Sequence, residues 1–96
     1  MTIFNVEIPQ ETIESAERFL SSKDRFSPSQ FISHVLNDEA LSSVLKHSEP
    51  KSNKSYVRVN GESVAIELAK RLITKHRKEG FISFDRSKNE WTRLQN

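Results

Sequence analysis

At 96 residues and 34% hydrophobic content, the chain suffices for one compact domain or two very small ones, and an active-site cleft between two substantial lobes is excluded. It holds no cysteine, which rules out a disulfide framework and any thiolate zinc site and fits a reducing compartment. The net charge of +2 is unevenly laid: residues 1–48 carry four basic and seven acidic side chains, residues 49–96 eleven basic and six acidic, so the potential that attracts phosphate sits in the C-terminal half.

The first half begins with Ile3-Phe4-Asn5-Val6-Glu7-Ile8, whose alternation predicts a strand with Phe4, Val6 and Ile8 on a dry face and Ile3, Asn5 and Glu7 on the other. Pro9 opens a helix to about Lys23, acidic in its first turn at Glu11 and Glu14, with an apolar stripe of Ile13, Ala16, Phe19 and Leu20. Ser27-Pro28-Ser29-Gln30 offers serine caps and a helix-starting proline. The helix that follows keeps its period from Phe31 to about Lys46, with Asn37-Asp38 as a point of interruption. Ser48 to Ser55 is polar, contains Pro50 and has no period, so it reads as a linker between a unit at 1–47 and a unit at 56–96.

The second half predicts a short strand at Tyr56-Val57-Arg58-Val59, a turn at Asn60-Gly61, and a helix from about Glu62 to Glu79 capped by Gly80. On that helix, at about 100° per residue, Val64, Ala65, Leu68, Ala69, Leu72, Ile73 and His76 share one half of the wheel, and Lys70, Arg71, Thr74, Arg77 and Lys78 the other. Phe81–Phe84 and Glu90–Leu94 then flank Asp85-Arg86-Ser87-Lys88-Asn89 as a hairpin with a basic tip. The predicted class is α+β, ordered βαα, linker, βαββ.

The residues Phe4 to Pro9 as ribbon and helix entry, Ile13 to Leu20 as first helix, and Ser27 to Leu36 as second helix start resemble the ribbon-helix-helix family, the Arc and methionine-repressor class. The resemblance implies a homodimer in which two strands pair across the dimer axis and enter the DNA major groove, with the second helix's N-terminus holding a phosphate. Physical logic points the same way, since a lone six-residue strand leaves both edges unpaired and needs helices over its dry face. Carried over residue by residue, the base-reading positions are Ile3, Asn5 and Glu7. Asn5 suits adenine and Ile3 a thymine methyl, whereas Glu7 brings negative charge to the groove and only accepts, as from cytosine N4. Ser27 and Ser29 are either phosphate contacts or ordinary caps.

In the basic half, Lys70, Arg71, Thr74, Lys75, Arg77 and Lys78 with the tip residues Arg86 and Lys88 suit phosphate tracking, provided the hairpin folds to the helix's exposed side. Strand, helix and basic-tipped hairpin also resemble the tail of a winged helix. That motif normally places two helices between its first strand and its wing, and residues 62–79 form one uninterrupted pattern. Trp91, Phe81 and Phe84 read either as stacking platforms for single-stranded nucleic acid or as hairpin core over a helix.

His34, His47 and His76 lie at spacings unlike a metal-ligand set, with His76 near the apolar side of its helix. With Gly61 and Gly80 the only glycines there is no phosphate loop, and no carboxylate pair sits in an apolar setting. The expectation is therefore a non-enzyme without cofactor or metal: a homodimeric regulator that binds double-stranded DNA in transcription, plasmid or phage gene control. The rivals are a protein-binding module such as an antitoxin or inhibitor, and a purely structural oligomer. The apolar runs are too short to span a membrane, and MTIFNVEIP lacks the basic start and apolar stretch of a signal peptide, so a cytoplasmic protein with no membrane partner is expected.

Overall fold

The apolar run at the N-terminus folds back on itself. In the computed structural model, which describes residues 1–94, β1 (Thr2–Ile3) and β2 (Val6–Glu7) form an antiparallel hairpin with Thr2 opposite Glu7 and Ile3 opposite Val6. Phe4 and Asn5 make the turn at φ 48° and 67°, the two-residue geometry whose twist matches that of the flanking strands. Asn enters this left-handed region readily. Phe4 is held there by its half-buried ring, packed against the core. The turn breaks the alternation that a straight strand at 3–8 requires. Ile3 consequently joins Val6 and Ile8 inside, at 1%, 0% and 3% exposure, and β2 finds its pairing partner in its own chain.

Helix α1 (Gln10–Ser22) leaves extended Pro9 and buries Thr12, Ala16 and Leu20 at four-residue spacing. β3 (Arg25–Phe26) follows, a strand too short for any periodicity to announce. Ser27 then caps α2 (Pro28–Leu36) through a complete capping box: its hydroxyl accepts from the Gln30 amide at 3.2 Å, and the Gln30 side chain accepts from the Ser27 amide at 2.9 Å. The chain breaks at Asn37-Asp38 and restarts as α3 (Glu39–His47). One Asp38 carboxylate oxygen fixes that break, accepting from the Leu41 amide at 3.1 Å and from the buried Thr12 hydroxyl of α1 at 2.7 Å. Among the apolar positions of α2 and α3, Leu36 is exposed, at 36%.

Residues 48–60 run as a connection with no strand, so the second half is αββ where βαββ was expected. Tyr56 to Val59 alternate but meet no sheet edge, and Tyr56 is 81% exposed. Helix α4 (Gly61–Lys78) starts at Asn60, which forms a second capping box with Ser63. It ends in a left-handed Gly80 (φ 81°), where the Phe81 amide donates to the His76 carbonyl at 2.9 Å and the Gly80 amide to that of Arg77 at 3.1 Å. The two bonds, with the Phe81 ring edge-on to His76 at 5.7 Å, constitute a Schellman stop. The stop turns the chain directly into β4 (Ile82–Asp85), which pairs with β5 (Glu90–Arg93).

β5 is the central strand of an antiparallel sheet ordered β3-β5-β4, with Phe26 and Phe84 flanking Trp91. The third strand of this sheet is thus Arg25–Phe26, not Tyr56–Val59. Arg93 secures the join: its guanidinium donates to Asp24 Oδ1 at 2.9 Å and to the Ser21 carbonyl. One apolar cluster runs from Ile3 through Phe26, Phe31 and Leu41 to Leu68, Leu72 and Ile82, so residues on both sides of the 48–55 segment share a core. Phe19, Phe26 and Phe31 pack ring to ring at 5.3–5.8 Å, the aromatic arrangement that adds to area burial.

Candidate functional site

The exposed side of α4 and the inner face of the β4–β5 hairpin enclose an open groove of about 620 Å³, closed at one side by Pro28 at the start of α2. Lys70, Ile73, Thr74 and Arg77 line it from the helix, a spacing of three, four and seven residues that puts all four on one stripe. Phe84, Arg86 and Trp91 line it from the hairpin. The wall therefore carries three cations and no carboxylate, over a floor of Ile73, Phe84 and Trp91. Among the described residues none of the three cations is ion-paired. Their fields add across the groove and attract an anion at contact.

The hairpin tip is locally braced. Asp85 Oδ1 accepts from the Ser87 amide at 3.0 Å and its hydroxyl at 2.7 Å, and Asn89 turns the chain back at φ 53°. The Ser87 hydroxyl, with its amide beside it, holds the Asp85 carboxyl below the ordinary carboxylate range. This brace aims the tip and leaves Arg86 free to face α4.

Of the residues singled out in the sequence, Lys70, Thr74, Arg77 and Arg86 come together in this groove. The remainder are placed elsewhere. Arg71 lies one helical step round, bonded to Glu67 Oε2 at 3.0 Å and lining a separate cleft with Asn5, Lys51 and Lys54. Lys75 pairs with Glu17 of α1 at 3.8 Å, and Lys78 and Lys88 are exposed outside the groove wall. Ser27 is occupied as an N-cap, and Ser29 is exposed on the first turn of α2.

The N-terminal positions divide. Ile3 is core, which removes it from any base contact. Asn5 is exposed in its turn. Glu7 accepts from the Thr2 hydroxyl at 2.5 Å and lies 3.4 Å from the amino terminus; Thr2 first, then that amine, lower its pKa. Glu7 is thus partnered within its own hairpin.

Sequence reasoning missed Ile73 as a groove residue, having assigned it to the helix's buried half, and read Phe84 and Trp91 as either stacking platforms or hairpin core without joining them to the helix cations in one groove. The signal was present in the hairpin register: Phe84 lies two residues beyond Ile82 and so on the same face of β4, and Trp91 lies directly across from it. No protein-family model matches the chain, and neither a curated protein nor a solved structure matches it.

Proposed function

We propose that the protein binds double-stranded DNA through the α4–hairpin groove, in the manner of a winged helix, and serves gene control as a regulator with no catalytic step. The observation that carries the reading is the grouping of Lys70, Thr74 and Arg77 on one stripe of α4 opposite Arg86 on the hairpin, with no acid between them. A helix of this width fits the major groove, and a basic hairpin beside it reaches the flanking backbone. With β3 counted as the first strand, α2, α3 and α4 precede the hairpin, one helix more than a winged helix normally has, and the order of strand, helices and hairpin supports the reading. The Ser27 capping box and the internal pairing of β2 weigh against reading DNA through the N-terminal ribbon. No helix among the described residues is long and apolar enough to cross a membrane.

The test is a titration of labelled blunt duplex DNA at two salt concentrations, with the protein's mass in solution measured alongside. Binding weakens as salt rises, with a log–log slope of about −0.9 per phosphate contact, and Lys70→Glu with Arg77→Glu weakens it and makes the slope shallower. Salt-independent binding, or none at low salt, overturns the reading and favours a protein partner, as for an antitoxin or inhibitor. The mass separates a monomer from the homodimer that the ribbon-helix-helix resemblance implies.

A further inference from the structure

We propose that the groove receives an unpaired base beside a duplex, stacked on Phe84 and Trp91, while Lys70, Arg77 and Arg86 hold its phosphates. The inference rests on the DNA reading above and narrows the class of DNA bound. It starts from an unevenness along β4. Ile82 and Phe84 share a face of the strand, yet Ile82 is 2% exposed and Phe84 is 37% exposed. The inner face of the sheet is covered by α4 at one end and open at the other.

The open end is built of rings. Phe84 and Trp91 are cross-strand partners whose centroids lie 5.1 Å apart at 63°, edge to face. An edge-to-face pair leaves ring surface that a third flat ring is able to cover. Ile73 flanks the pair from α4, and the three cations stand around it. A flat aromatic group joined to a chain of anions is the chemistry this combination recognises, and a nucleotide with its neighbouring phosphates has it. An intact duplex does not supply that group, because its bases are stacked on one another and present only their edges. An unpaired base presents its face, and stacking on an aromatic side chain tolerates any base. The volume of about 620 Å³ lies within the usual range of ligand sites, about 300–1,000 Å³.

Trp91 is the only tryptophan of the chain, so its emission reports on the groove directly. The experiment follows Trp91 emission and binding anisotropy with a blunt duplex and with the same duplex carrying a single-stranded extension at either end. The extension raises affinity about tenfold, as one stacked base does, and quenches Trp91. Phe84→Leu keeps the apolar bulk and removes that gain, so that the variant binds the blunt and the extended duplex alike, and Phe84→Tyr restores the difference. Equal affinity for the two DNAs with Trp91 emission unchanged overturns the inference and leaves duplex binding standing. Quenching by the single-stranded extension alone, supplied as a free oligonucleotide, with no affinity for blunt duplex, overturns the duplex reading and leaves the stacking site. Absence of binding to every DNA overturns both.

Discussion

The molecule has two tight hairpins that use the same backbone chemistry for opposite ends. In the first, Thr2–Glu7, the side chains of Ile3 and Val6 point into the core, and the lone acid is turned onto the chain's own amino terminus. In the second, Ile82–Arg93, only Ile82 is fully inside, while Phe84, Arg86 and Trp91 border an open groove. Both rely on asparagine at positive φ in the turn, and both hold a carboxylate below its ordinary pKa by local hydroxyl donors. Which hairpin stabilises and which forms a site is set by how much of its face a helix covers.

The contrast is broken most severely at Ile3. Ile3→Ala empties a packed position and costs about 2–5 kcal/mol, read as a fall in the urea midpoint, while the protein that remains folded keeps its groove. The converse change is charge reversal of Lys70, Arg77 and Arg86 together. It leaves the unfolding free energy read from urea titration within about 0.5 kcal/mol of the parent for each substitution, as exposed changes do. The same variant loses roughly a hundredfold in duplex affinity at 0.1 M salt, and its salt slope falls by about 0.9 for each contact removed. A variant that unfolded instead would show these cations to be structural.

Turn chemistry gives a smaller effect that ought to be equal in the two hairpins. Asn5→Ala and Asn89→Ala each lose the short polar side chain that tolerates the left-handed region, costing up to about 1 kcal/mol, whereas the glycine variants are near neutral in calorimetric midpoint. The smallest effect is on acidification. Because the folded pKa values of Glu7 and Asp85 are depressed, each contribution is complete above the ordinary carboxylate pKa and is lost as pH falls through the lowered value. Protection of the Ser87 amide, its exchange relative to the intrinsic rate at each pH, then falls as Asp85 takes its proton, and Asp85→Asn abolishes that fall. Protection at Ser87 that stays constant with pH in the parent protein would detach the tip's order from Asp85.

The sequence made the long elements plain and the short ones obscure. α1, α4 and the C-terminal hairpin carry a repeating apolar period or a defined turn over many residues, and Gly80 after α4 and Ser27 before α2 are residue types favoured at helix ends. The cations of the groove were legible for the same reason, since spacing along one helix fixes which of them share a stripe. That spacing also contains the separation of Lys70 from Arg71, roughly 100° apart on the wheel. Grouping them as one basic face blurred it. The turn at Phe4-Asn5 lacked a glycine, and phenylalanine at positive φ is tolerated only because the finished core holds its ring. Tyr56–Val59 has strand-like alternation but no edge to join, and nothing local in Arg25–Phe26 marks it as a strand. Its pairing depends on residues far along the chain.

That distant pairing bears on how the protein acquires its shape. Among the described residues β3 has its one sheet partner in β5, so the contact that closes the sheet joins residue 26 to residue 91. Long-range closure of this kind is paid in chain entropy before it is rewarded, and it slows folding. During synthesis the helices are made while Phe26 still lacks its strand. A nascent chain halted anywhere before Trp91 would therefore carry its basic helix without the hairpin that completes the groove, and the groove would form late and all at once.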